Sequence, residues 1–221
     1  MLPESVQSVV ERWRTDGSPA QAGIPWPRRR WLEAFPQFGS ILADLPDHLD
    51  RGSVRRHCQS AAQSPDDAQS AFLVVMTWGY GDVGYGPFRT ARILADTPDA
   101  SERLQLAADA VATGGASAGY DAMAERSRSR LKWLGPAFGT KFLHFCSPAG
   151  NPPALILDRL VADWLRDHAD VSLNPVPWHT DTYRRYLDLM AEWSNDLRIE
   201  ADQLEACIFT DQASRIGSQW G

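Results

Sequence analysis

Apolar residues recur every three to four positions in short stretches, separated by breaks rich in glycine, proline and aromatics. That periodicity predicts packed helices rather than sheet. Residues 4–14 form a short amphipathic piece. Residues 17–39 (GSPAQAGIPWPRRRWLEAFPQFG) are too apolar for a linker and predict an ordered, packed arm. Residues 66–77 open on two aspartates and run into an apolar helix. WGYGDVGYGP, residues 78–87, predicts a loop, and helix resumes over 88–95. Residues 99–113 place Leu104, Ala107, Ala108 and Val111 on one face. GGASAG breaks this helix, and 119–132 is helical again. In KWLGPAFGTKFLHFCSP, residues 132–148, a helix ends, the chain turns, and a new helix begins near Lys141. A loop at 150–153 leads to a buried run and then a helix with Leu157, Val161, Trp164 and Leu165 on one face. NPVPW is a further break, and 181–195 and 200–209 form the last helices. A weak strand pattern exists only at 152–157, so the expected class is all-α (mainly).

The 221 residues, 43% hydrophobic and 23% charged, suit one large domain or two small ones sharing a core. No 18-residue apolar span occurs, and MLPESVQSVVERWR is charged where a signal peptide needs an apolar stretch. A cytoplasmic protein with no membrane contact is expected. Cys58, Cys146 and Cys207 are far apart and form no C-x-x-C pair, and the five histidines show no ligand spacing. Neither a metal site nor an iron–sulfur cluster is expected.

A net charge of −6 argues against a nucleic-acid partner. The average conceals a patch: Arg126, Arg128, Arg130, Lys132 and Lys141 precede Phe145 with no acid between them. Arg28, Arg29 and Arg30 form a second run, while acids collect between Asp181 and Asp211. A basic stripe on an acidic body is a workable DNA footprint, though basic runs are usually solvated faces. Of 22 basic residues, 20 are arginine; Lys132 and Lys141 alone keep an amine. Lysine can lose its proton and attack as a nucleophile, which arginine cannot do near neutral pH.

Two pieces of the chain carry candidate chemistry. PAFGTK turns through Gly135, Pro136 and Gly139 into a helix near Lys141. Free N–H groups at that helix start suit a phosphate, and the same dipole end favours a neutral lysine. By itself the turn is equally an ordinary helical corner with a surface lysine. Seventeen residues on, Asp158 follows an apolar run at a helix start. It is either a plain N-cap or a carboxylate held ionised by its own helix.

Together, PAFGTKFLHFC and ALILDRLV resemble the hairpin and aspartate of the helix-hairpin-helix DNA glycosylases. In bifunctional members of that family the hairpin runs roughly L-P-G-V-G-[TR]-K, with the aspartate about 18 residues later. The 8-oxoguanine glycosylase-like bacterial proteins are the most similar branch. The resemblance implies two helical subdomains around a DNA-binding cleft. Residues 66–221 would form the glycosylase domain, with 1–65 as an N-terminal arm and helices packing on the core. It implies Lys141 as nucleophile and Asp158 as its catalytic partner. Gly135, Gly139, Thr140, Arg130 and Lys132 would meet the DNA backbone. Tyr80, Tyr85 and Arg89, within TWGYGDVGYGPFRTARIL, would wedge into the duplex; inward packing of those aromatics is the alternative. Phe145 and Cys146, one turn past the lysine, and Glu205 and Phe209 in LEACIF would line the base pocket. The implied partner is double-stranded DNA with a damaged base, met by a monomer on the nucleoid without a cofactor.

The implied reaction extrudes and excises a modified purine through lysine attack at C1′, with AP-lyase cleavage following. The sequence departs from the pattern in three ways. Ala137 stands where the first hairpin glycine is usual, the Lys–Asp spacing is one or two residues short, and no iron–sulfur cysteines follow. A non-catalytic scaffold that binds DNA or a modified base is the alternative. An unrelated helical protein is the third reading.

Overall fold

A computed structural model describes residues 2–124, 127, 129–149 and 152–217. Its elements run α1 (Glu4–Thr15), β1 (Ile24–Pro25), α2 (Arg28–Ala34), a 3₁₀ turn (Pro36–Phe38), α3 (Gly39–Asp44), β2 (His48–Leu49) and α4 (Arg51–Cys58). They continue with α5 (Pro65–Tyr80), α6 (Gly86–Ala95), α7 (Ala100–Met123), α8 (Pro136–Cys146), α9 (Arg159–Ala169), α10 (Thr180–Leu197) and α11 (Ala201–Arg215). The fold is all-α. The only ladder among the described residues pairs Ile24 with Leu49 and Pro25 with His48, antiparallel. No helix is long and apolar enough to cross a membrane among these residues.

Helix α5 is the spine. Ser64 caps it by accepting from the Asp67 amide, Pro65 opens it, and Asp66 and Asp67 complement its positive end. Its apolar run is buried all round because α4, α6, α7 and α8 pack on it. Phe72 meets Phe142 of α8 edge-on at 5.9 Å, and Trp78 meets Phe145 of α8 at 5.0 Å. Helix α1 packs on α9, α10 and α11, and α2 packs on α6.

Four expected boundaries move. The loop expected at 78–87 shrinks, because α5 continues through Trp78, Gly79 and Tyr80. The aromatics that looked like loop residues have partners instead: Trp78 has Phe145, and Tyr80 stacks on Phe138 at 4.4 Å. The GGASAG break does not end α7; only Gly115 leaves helical geometry, at φ 77°, a conformation open to glycine. The helix expected over 119–132 stops at Met123, since the polar run after it has no apolar stripe to bury. Arg126 and Arg128 of the basic run, and Gly150 of the loop after α8, lie outside the described residues. Finally, α8 starts at Pro136, five positions before Lys141, with Gly135 as its cap.

Candidate active site

The stretch that carries Asp158 belongs to neither a helix nor a ladder. Residues 154–157 are buried between α8 and α10. Buried backbone groups need partners, and here side chains supply them. His144 bonds the Ala154 carbonyl at 2.8 Å, and Ser147 Oγ accepts from the Ala154 amide at 2.9 Å. Tyr183 donates to Leu155 O and Tyr186 to Ile156 O, at 2.8 and 2.9 Å. The Leu157 amide donates to Thr140 Oγ1 at 3.1 Å. The next residue, Asp158, then caps α9 by accepting from the Val161 amide through Oδ1.

Its other oxygen meets the lysine: Lys141 Nζ lies 2.6 Å from Asp158 Oδ2. The two side chains are only 7% and 11% exposed, so water screens the pair little. Burial works to raise the Asp158 carboxyl. The Lys141 ammonium and the Val161 and Leu160 amides outweigh it and hold the carboxyl below its usual range. The expectation that a helix dipole conditions Lys141 is corrected. The dipole acts within the first turn, and Lys141 is the sixth residue of α8. Asp158 and the ring of Phe138, 5.7 Å from Nζ, are its neighbours instead.

A second set of charges surrounds this pair, and none of it but Glu205 was expected from the sequence. Arg51, at the start of α4, grips Glu205 of α11 with both guanidinium arms, at 2.8 and 3.2 Å. Its Nε donates to Gln21 Oε1 at 2.8 Å. Burial raises the Glu205 carboxyl above its usual range against the pull of Arg51. Arg55, one turn on, donates to His144 Nε2 at 3.1 Å. An arginine can only donate, so His144 carries its proton on Nδ1, towards Ala154. Burial, reinforced by Arg51 and Arg55, holds this imidazole well below its ordinary value of 6.5. Below that pH the unfolded chain takes a proton that the folded one refuses, so stability falls with falling pH. The loss is up to about 1.4 kcal/mol per pH unit. In urea unfolding, wild type should lose more stability between pH 7 and 5 than His144→Gln; equal losses would mean that the folded imidazole protonates.

The remaining expected residues separate into two groups. Arg89, Arg130, Lys132 and Gly135 come together, with Arg103 and Trp178, along a groove of 670 Å³ at the amino end of α8. Arg89 donates to Trp133 O at 2.6 Å, and Lys132 Nζ sits 3.8 Å from Asp96. Gly139 and Thr140 do not reach this surface. A Cβ on Gly139 would fall 2.0 Å from Trp178, and Thr140 is fully buried with its hydroxyl engaged at Pro136 and Leu157. Both are packing positions in this structure. Ala137 is an ordinary residue in the first turn of α8, with no positive φ and hence no strain.

Tyr80 is half-buried against Phe138, and burial pushes its phenol up to about 12. Tyr85 is exposed beside Phe88, which is more exposed still at 59%. Phe145 is buried against Trp78, and Cys146 is buried with its thiol pushed up by burial and by Cys58. Phe209 is buried as well. Arg51 and Arg55 carried one legible signal, the Asp50 cap that opens α4 by accepting from the Ser53 amide; His144 carried none.

The lysine and the aspartate that the sequence resemblance singled out thus lie in buried contact within an all-helical body. Residues 17–209 match the model of the family described as "Putative 8-oxoguanine DNA glycosylase OGG-like protein", and the chain belongs to that family. The matched span begins at residue 17 and so takes in most of the stretch 1–65 that was expected as an N-terminal arm and helices packing on the core. No curated protein and no solved structure matches the chain.

Proposed function

We propose that this protein excises an oxidised or modified purine, of the 8-oxoguanine kind, from double-stranded DNA and then nicks the strand as an AP lyase. The observation that carries the reading is the buried contact of Lys141 Nζ with Asp158 Oδ2 at 2.6 Å. Lys141 must shed a proton before it can attack, and Asp158 is the acceptor in contact. The neutral amine then bonds to C1′ as the C1′–N bond breaks, and the departing base keeps the bonding electrons and takes up a proton. Passing that proton on to the departing base leaves Asp158 ionised, facing the positive charge that develops on the sugar. Ring opening leaves a Schiff base, from which loss of a C2′ proton expels the 3′ phosphate. This chemistry needs no metal or organic cofactor.

The groove at the amino end of α8 supports the DNA part of the reading, since Arg89, Arg103, Arg130 and Lys132 line it beside the free amides of the helix start. On this reading α7 and α8 act as the hairpin of a two-subdomain cleft. Tyr85 and Arg89 act as the wedge, and a monomer works on the nucleoid. Extruding the nucleotide costs a few kcal/mol of unstacking, which the phosphate contacts offset.

Borohydride trapping tests the reading, with duplexes carrying 8-oxoguanine opposite cytosine, an abasic site, or no damage. A covalent adduct is expected with the first two and not with the third. An adduct with the abasic duplex alone would keep the lyase and change the base. No adduct with either would leave a DNA-binding scaffold.

A further inference from the structure

The structure divides the basic run Arg28 to Arg30 three ways. Arg28 turns inward. It donates to the carbonyls of Leu42, Ala43 and Leu45, pairs with Asp47, and lies over the ring of Trp26. Arg29 reaches along α2 to Glu33 at 2.7 Å. Arg30 is exposed, and its guanidinium has no hydrogen bond or ion pair among the described residues. Yet this free charge has a fixed place. A Cβ on Gly84 would fall 2.0 Å from Arg30 Nη1, and one on Gly86 would fall 2.9 Å from the fully buried Trp31. Two glycines thus let successive residues of α2 lie directly on the turn between α5 and α6, where larger residues would hold them off.

That turn is an apolar prominence. Val83, Tyr85 and Phe88 are all exposed, and the last two rings lie 5.4 Å apart. Large apolar side chains left in water as a cluster mark a binding surface. Arg30 flanks its start, at Gly84. Arg89 flanks its end, directly after Phe88, and reaches Trp133 O in the groove at the amino end of α8. Apolar side chains with a cation on either flank suit a DNA minor groove, where a wedge parts a base step between two phosphate rails. That groove is only about 6 Å wide in regular DNA, so the two flanks meet different strands. The strand that delivers its nucleotide to Lys141 runs along the groove, since α8 carries both the lysine and the groove's Pro136. The other flank faces the other strand.

We infer that Arg30 of the N-terminal arm binds a backbone phosphate of the strand opposite the damaged nucleotide, so that the wedge works with one strand held on each side. This inference rests on the glycosylase reading above and gives the arm a share in its DNA interface. The contact carries no sequence information; it positions the duplex and adds to the salt dependence of binding.

Binding of the full chain to a duplex with a tetrahydrofuran abasic analogue, which a lyase cannot cleave, tests this across a range of salt concentrations. Arg30→Met keeps the apolar stem and removes the charge. It should weaken binding about fivefold or more near 0.1 M salt and lower the slope of log Kd against log salt by about 1. Arg30→Lys keeps the charge and should keep the slope. Uncharged methylphosphonate linkages, placed singly, locate the contact. In wild type a linkage at the contacted phosphate, opposite the analogue, should cost about the same factor. Arg30→Met should lose nothing further there, because the two changes remove one interaction.

An unchanged slope in Arg30→Met, an equal loss of slope in Arg30→Lys, or coupling to linkages of the damaged strand instead would overturn the inference. The glycosylase reading would still stand if wild type forms its borohydride adduct on abasic DNA. Absence of that adduct would remove the glycosylase reading and this inference with it.

Discussion

Lys141→Gln abolishes the borohydride adduct on both damaged and abasic duplexes and lowers strand nicking by about 10³-fold or more. An amide cannot form the bond to C1′. Glutamine is the informative replacement because its NH₂ group can still donate to Asp158 Oδ2, where the ammonium now sits at 2.6 Å. The buried carboxylate keeps a partner, and the variant folds and binds damaged DNA near the wild-type level. Gel separation of trapped adducts and fluorescence anisotropy of the uncleaved complex read the two properties separately. Lys132 is the only other lysine in the chain. An adduct that survives in Lys141→Gln would pass the nucleophile to Lys132 or to the chain's amino terminus, and the proposed role of Lys141 would fall.

Asp158→Ala has the largest effect on stability, because this aspartate does two jobs at once. It caps α9 through Oδ1 and balances the Lys141 ammonium through Oδ2. Losing a cap costs about 1 kcal/mol. Stranding a buried charge costs about 3–5 kcal/mol, and the two losses overlap because one side chain serves both. A total of about 3–5 kcal/mol is expected in urea unfolding at pH 7. Asp158→Asn separates the jobs, since asparagine caps as well as aspartate but carries no charge.

The wild-type carboxyl is held below its ordinary value of 3.8. Its contribution is therefore complete above 3.8 and lost as the pH falls through the lower folded value. The stability gap between wild type and Asp158→Asn should narrow between pH 7 and pH 3. A gap of the same size at both would show that the ion pair is not what the substitution removes.

The sequence made local chemistry legible. Apolar spacing marked α5, α7 and α10, and a carboxylate before an apolar helical stripe marked the cap at Asp158. Lys141 was visible because a chain rich in arginine kept an amine after a Gly/Pro turn. What escaped depended on partners distant in sequence. Trp78 and Tyr80 sit among glycines and looked like loop residues, yet Phe145 and Phe138 draw them into α5.

Arg51 lies 154 positions from Glu205, and nothing local to either residue announces the other. Thr140 sits in the hairpin where a phosphate contact was expected, but its hydroxyl turns inward to the stretch before Asp158. The net charge of −6 hid a groove whose cations come from α6, α7 and the turn before α8.

A strand in a sheet shares its register with its neighbours and slips only when they do. The stretch from Ala154 to Leu157 has no such neighbour; an imidazole, two phenols and two aliphatic hydroxyls hold its place. Two of those anchors, Tyr183 and Tyr186, belong to α10, a helix that supplies no group to the proposed reaction. The reach between amine and carboxylate is thus calibrated from outside the catalytic centre. Trimming a single phenolic oxygen, with every reacting group left in place, becomes a way to adjust it.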